Sequence, residues 1–307
     1  MALVSRKAAA LALVRPSARP FKGSTVNARA IVEVFSGLPE ASRQDLLSRL
    51  SDEEVAELSR ATERLSDFIP RVTPRYRAPP HLAPLISRLE QAREREVRCV
   101  IHAPPRHVKT DTILNAFAWH LWQDPTRTHG FVTYSADLSR SKSRKARNLA
   151  IAGGVNLAAD ANRLDEWLTT DGGGLVATGV GGPLTGRGIT GLLVVDDPVK
   201  NRVEAESETT REKVWEWFND VAYTRLEPGS SCIVVMTRWH PSDLAGKLID
   251  DKGWEYIKLP AIDEHGAALW PDRFRFHAER HPGADRRVHL DLALSGRTKE
   301  PRRCGLR

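Results

Sequence analysis

Two pairs of neighbouring residues have the types and the spacing to do chemistry together. In "HAPPRHVKT" (His102–Thr110) Lys109 and Thr110 close a window similar to the phosphate loop G-x-x-x-x-G-K-[ST], with Ala103 and Val108 where that pattern has glycine. In "LLVVDD" (Leu192–Asp197) an unbroken apolar run ends in Asp196 and Asp197. Phosphoryl transfer needs a cation on the β/γ oxygens, oxygen ligands for Mg²⁺, and an acid that orients the attacking water. Lys109 suits the first role, Thr110 and Asp196 the second, Asp197 the third. Each pair alone has a plainer account: a solvated lysine at a helix start, and Asp-Asp-Pro as a strand-ending turn. Together they favour a nucleotide site.

Two more segments could serve such a site. "GVGGPLTGRGITG" carries Arg187, ten residues before Asp197. An arginine placed there can stabilise transition-state charge, or it can be a surface side chain on a flexible loop. In "VVMTRWHP", Thr237 and Arg238 leave the end of a strand, a place from which a γ-phosphate is sensed.

The elements around these residues must be strands that end, and helices that begin, at one edge. "VRCVIHAP" reads as a strand, followed by a helix with Ile113, Phe117 and Leu121 on one face. The loop between them, Pro105 to Thr110, would cradle phosphate with backbone N–H groups at a helix N-terminus. "HGFVTYS" reads as a strand and "DLSRSKSRKARNLAIA" as a helix opened by Asp137 or Ser139. A glycine-rich segment precedes the strand "GLLVVDD". "ESETTREKVWEWFNDVAYTRL" reads as one helix with Val214, Trp217, Phe218 and Val221 as its apolar face, and "SCIVVMT" and "WEYIKL" complete the strands. Alternating β and α elements imply an α/β fold, a mostly parallel sheet covered on both faces. Upstream, "LPEASRQDLLSRLSDEEVAELSRATERLSDF" reads as helical, with a Ser51–Glu54 capping box and Val55, Leu58, Ala61 and Leu65 at helical spacing.

Composition bounds the class. With 307 residues, 41% hydrophobic and 28% charged, the chain suits one large or two modest soluble domains. No apolar run approaches the roughly 18–20 residues of a membrane span. Cys99, Cys232 and Cys304 are far apart in sequence, which suits a reducing compartment and neither a disulfide scaffold nor a metal pair. The net charge of +7 is concentrated at the ends: residues 1–32 carry 6 Lys/Arg and no acid, residues 273–307 carry 10 against 4 acids, leaving −5 between them. The first segment has the acid-poor, Arg-rich character of transit peptides but no convincing cleavage site, and is expected to be a flexible leader.

The quoted motifs, in this order and spacing, resemble the ATPase domain of the large terminase subunit of tailed bacteriophages and prophages. "PPRHVKT", "TYSADLSRSKSRKARNL", "GVGGPLTGRGITGLLVVDDP", "REKVWEWFNDVAYTRL", "VVMTRWHPSDLAGKLI" and "LWPDRF" carry the resemblance. It implies a P-loop NTPase of the ASCE type over residues 67–275, preceded by a leader (1–32) and a helical extension (33–66) and followed by a basic tail (276–307). It further implies Mg²⁺-dependent ATP hydrolysis that drives double-stranded DNA into a capsid. The implied partners are the portal protein, the small terminase subunit and further copies of the chain in a ring, with no membrane and a location in the bacterial cytoplasm. By the same resemblance, Pro105, Arg106, His107, Val108, Lys109 and Thr110 bind nucleotide, Asp196 holds the metal, Asp197 is catalytic and Thr237 lies in the coupling segment. Arg187 matches a finger reaching a neighbour's nucleotide, and Arg106 is the alternative acting in cis. Tyr76 and His81 are adenine-side candidates, with packing and capping as the other roles open to them.

The chain departs from the family twice. Val108 replaces the glycine of "PPRHGK[ST]", and if φ there must be positive, a β-branched residue costs about 1–3 kcal/mol. The residues after "LWPDRF" are too few and too poor in strand pattern for the family's nuclease domain, so no nuclease activity is expected. An alternative reading is therefore a catalytically impaired prophage remnant that binds nucleotide, DNA or portal without efficient turnover. A helicase-like ATPase would explain the loop and the acids but not "MTRWHPSDLAGKL".

Overall fold

A computed structural model describes residues 37–49, 51, 60, 63–76, 78–184, 186, 188–251, 253–263 and 265–274. The leader and tail, Arg187, and the Glu54, Val55, Leu58 and Ala61 part of the helical extension lie outside the described residues. The elements are α1 (Glu40–Ser48), α2 (Leu65–Val72), α3 (Ala83–Glu94), β1 (Arg98–His102), α4 (Lys109–Gln123), β2 (Thr128–Thr133) and α5 (Ala136–Ala152). They continue through β3 (Leu157–Asn162), β4 (Glu166–Thr169), β5 (Gly174–Gly179), β6 (Leu192–Asp196), α6 (Arg202–Glu206), α7 (Glu208–Trp217), β7 (Ser231–Met236), α8 (Leu244–Ile249) and β8 (Glu255–Lys258).

The eight strands form one sheet in the order β3-β4-β5-β2-β6-β7-β1-β8. From β5 to β8 every pairing is parallel, and β3 and β4 add an antiparallel edge. One strand, β7, stands between β1, which leads into the phosphate-loop sequence, and β6, which ends in the acids. That is the sheet expected of an ASCE-type fold. Strand alternation divides the core in two. Cys99, Ile101, Leu192, Val194, Ile233 and Val235 pack on the face covered by α2, α3, α4 and α5. Val100, Leu193, Val195, Cys232, Val234 and Met236 pack on the other, with α7 and α8. Helix α4 is buried on every side from Thr112 to Leu121, so its apolar residues are not confined to the expected stripe.

Two expectations need correction. Helix α5 is opened by neither Asp137 nor Ser139: the Ser135 hydroxyl accepts from the Leu138 N–H, while Ser139 is buried and donates to the Thr178 carbonyl at 2.6 Å. The helix read from Glu206 to Leu226 is regular only as α7, from its Ser207 cap to Trp217, and gives way at Phe218 to a π turn; a separate short helix, α6, capped by Asn201, precedes it. Ahead of the glycine-rich segment that leads into β6 lies a meander of three strands, β3, β4 and β5, that the sequence reading did not contain. In α2, Leu65, Phe68 and Ile69 are buried in the core cluster that also holds α3 and α4. Among the described residues no helix is long and apolar enough to cross a membrane.

Two histidines inside this core set its response to acid. His120 and His129 are fully buried with ring centroids 5.3 Å apart. His120 bonds the Leu89 carbonyl, and His129 Nδ1 accepts the Leu192 N–H, so both rings are neutral. Burial holds His120 down to about 3, and burial, then the neighbouring His120 ring and Arg127, hold His129 well below the usual range. The unfolded chain therefore binds protons that the folded chain refuses, and stability falls as pH drops below about 6.5. At pH 5 the His120 share is about 2 kcal/mol. We predict a lower Tm at pH 5 than at pH 7.5, and a flatter pH dependence in His129→Gln; a slope unchanged by that substitution would contradict the assignment.

Candidate functional site

The site follows from strand parity. Residues 192, 194 and 196 share a face of β6, and that face carries α4, so Asp196 emerges where α4 begins. There the Thr110 hydroxyl donates to Asp196 Oδ2 at 2.6 Å, while Asp196 Oδ1 is buried with no hydrogen-bond partner. Burial first, and then the adjacent Asp197 carboxylate, push the Asp196 carboxyl up to about 6; Lys109, the Thr110 hydrogen bond and Lys142 of α5 pull it down. A hydroxyl and a carboxylate with an unused oxygen form a hard oxygen donor set, which fits Mg²⁺. Among the described residues no group of three or more His, Cys, Asp or Glu could hold a metal ion. An ion here would take the rest of its shell from phosphate and water, as Mg²⁺ commonly does.

Asp197 leaves the strand with φ 46° and turns its side chain along the sheet edge. Its Oδ1 accepts the Thr237 N–H at 2.8 Å, and its Oδ2 lies 3.4 Å from Lys109 Nζ. Lys109 is buried, donates to the Ala103 carbonyl at 2.9 Å, and closes the loop on itself. The Thr237 hydroxyl donates to the same carbonyl at 3.4 Å. Lys109, Thr110, Asp196, Asp197 and Thr237 thus converge at the carboxyl ends of β1, β6 and β7, where α/β sheets bind ligands. Burial first, then Arg238, Lys109 and Lys258, hold half-buried His102 down to about 4.

Val108 has φ 52° and ψ 22°, so the position does require the left-handed region. Arg106 shares it at φ 63°. With Asp197 these are the described non-glycine residues of positive φ, and all three are at this site. Such residues cost about 1–3 kcal/mol each and persist where surrounding structure holds them. Because Val108 already has this geometry, its strain weighs on folding rather than on ligand binding.

The other expected residues are placed as follows. Pro105 and Arg106 are exposed on the loop, and His107 is buried with Nδ1 2.8 Å from the Pro105 carbonyl. Tyr76 bonds Thr112 at 2.6 Å, and Thr112 donates to the Val108 carbonyl at 3.1 Å, so Tyr76 braces the first turn of α4. His81 packs against His107 and Trp270. Arg238 is committed to Asp243, at 2.9 Å, and to the Pro241 carbonyl, and so shapes the turn after Thr237. Sequence reasoning missed Asp243, a buried carboxylate that accepts the N–H groups of Trp239, His240 and Gly246. It also missed Lys142 and Lys145, three apart on α5, of which Lys145 pairs with Asp111 at 2.7 Å. Their spacing on one helix face was the available signal.

The model of the family described as terminase large subunit, T4likevirus-type, N-terminal, matches residues 100–290, more than half of the chain and all of this edge. The chain belongs to the terminase large subunit family. A search of curated proteins gives no match. Among solved structures, the crystal structure of the HK97 bacteriophage large terminase is similar at 16% identity and a TM-score of 0.47, over 66% of this chain and 44% of that one. The chain therefore spans less than half of that terminase's length.

The strain at Val108 gives a direct prediction. Val108→Gly removes it at a smaller entropic cost of about 0.5–1 kcal/mol, a net gain near 1 kcal/mol that raises Tm by about 2–4 °C. A lower Tm in thermal melts would show that Val108 is not strained in the folded chain.

Proposed function

We propose that the chain is the Mg²⁺-dependent ATP-hydrolysing motor portion of a terminase large subunit, moving double-stranded DNA into a capsid. The observation that carries this is the meeting of Lys109, Thr110, Asp196, Asp197 and Thr237 at one sheet edge, with Asp196 Oδ1 buried and unpartnered. In this reading Lys109 exchanges Asp197 for β/γ-phosphate oxygens. Thr110 and Asp196 hold Mg²⁺, whose chemistry is to neutralise phosphate charge. Asp197, freed from Lys109 but still held by the Thr237 N–H, accepts a hydrogen bond from the attacking water and orients it. Thr237 carries the change at Asp197 into the turn that Arg238 and Asp243 stiffen. The backbone of Pro105–Val108 surrounds the phosphates, Arg106 is the cis arginine, and Arg187 the one offered to a neighbouring subunit. His81 and Tyr76 lie toward the adenine side.

The same reading places the chain in the cytoplasm of a bacterial host, in a homo-oligomeric ring on the portal, with the small terminase subunit and duplex DNA as its partners. The β-branched side chain at position 108 defines one competitor, an impaired prophage remnant in which the loop does not keep this geometry in solution. If the strained loop fails to grip phosphate, wild-type chain binds no ATP and Val108→Gly restores binding.

Steady-state ATP turnover, with and without duplex DNA, separates the readings. Lys109→Ala and Asp197→Asn are each expected to lower turnover at least about 100-fold, the scale of a lost charge-stabilising donor at Lys109 and of a lost water-orienting acceptor at Asp197. Asp197→Asn should still bind ATP. Turnover equal to wild type in both variants would sink the motor assignment.

A further inference from the structure

His107 stands between Arg106 and Val108, both in the left-handed region. Its ring is almost completely enclosed, by residues from far away in the sequence. Phe274 stacks on it with centroids 4.7 Å apart and planes 22° apart. His81 meets it edge-on at 5.3 Å, and Trp270 closes the cluster at 6.1 Å from His107 and 5.4 Å from His81. Trp270 and Phe274 belong to a short folded segment after β8, in which the Phe274 N–H donates to the Trp270 carbonyl at 2.9 Å. The Arg273 guanidinium lies 5.0 Å over the Trp270 ring and 5.8 Å from the Phe274 ring. His107 is 2% exposed and Phe274 7%.

We propose that Trp270 and Phe274 are positioning residues of the phosphate loop: packed on His107, they hold the Arg106–Val108 backbone in the left-handed geometry that a β-branched Val108 resists. Glycine visits that geometry freely and would not need holding. Valine does not, so its strain must be over-determined by neighbours, and a buried, stacked side chain next to it is the means present. Val108 and the ring clamp are then a matched pair. The clamp also ties the loop to the segment from which the chain continues beyond residue 274, so a shift in either is felt by the other.

The functional consequence rests on the nucleotide reading above, but the geometry can be tested without nucleotide. The test uses the full chain and trypsin, following cleavage after Arg106 by mass spectrometry, with Tm as a check on folding. Loosening the clamp should expose this bond, since cleavage tracks the open population when opening is fast. Phe274→Leu, which keeps apolar bulk and loses the flat ring, is expected to speed cleavage after Arg106 by up to about tenfold, the worth of one aromatic pair. Phe274→Tyr, which keeps the ring, should leave the rate near wild type. Val108→Gly added to Phe274→Leu should recover most of the protection, and ATP affinity should follow the same pattern. Equal cleavage in Phe274→Leu and wild type, or strictly additive effects of the two changes, would overturn the clamp. Should Phe274→Leu lower Tm and speed every cleavage alike, Trp270→Leu provides the second arm, with the same expected and overturning results. If wild type binds no ATP, the nucleotide reading fails on its own while the cleavage pattern still decides the clamp.

Discussion

The hydrogen bond from Thr110 to Asp196 joins the first turn of α4 to the last residue of β6, two elements that no local sequence contact connects. Everything else at the site is arranged around it. Burial makes a charged Asp196 expensive, and one of its two oxygens has no partner, so the edge is poised to receive positive charge. The parallel strands bring β1, β7 and β6 to end together, with His102 in register with Met236 and Asp196 with Val235. Lys109 and Asp197 then meet directly, 3.4 Å apart, at the same edge.

Strain is the second constraint. Arg106, Val108 and Asp197 are bulky residues in a backbone region suited to glycine, and each adjoins a group that the chemistry would use. Energy stored this way is retained only where packing and hydrogen bonds leave no alternative. At Asp197 the alternative is removed by bonds to Val235 and Thr237; at the loop it is removed by the Lys109–Ala103 bond and by the rings around His107. Val108 is thus held in the left-handed region by bonds and packing of the fold itself.

Much of this was legible in sequence, because strand parity and loop chemistry are local. The apolar runs at 99–101, 192–195 and 232–236 read as buried strands, and Lys109, Thr110, Asp196 and Asp197 stood out by residue type and by the order of the motifs that carry them. The meander β3–β4–β5 was not legible. Its strands, "LAADAN", "EWLT" and "GLVATG", are short, lack strict alternation and draw their pairing from the far edge of the sheet. The part played by Trp270 and Phe274 was hidden for a similar reason. Nothing in "LWPDRF" indicates that its rings will reach a loop more than 160 residues earlier. Arg238, an apparent phosphate sensor by position, is claimed by a buried carboxylate whose depth no local pattern reveals.

The central claim is that this edge takes a nucleotide together with a divalent ion. Isothermal titration of the purified chain with a non-hydrolysable ATP analogue, in Mg²⁺ and again in EDTA, tests it most directly. The account predicts saturable one-to-one binding that weakens sharply without Mg²⁺ and in Thr110→Ala. Binding indifferent to both the ion and Thr110, or no binding in wild type and Val108→Gly alike, would contradict it.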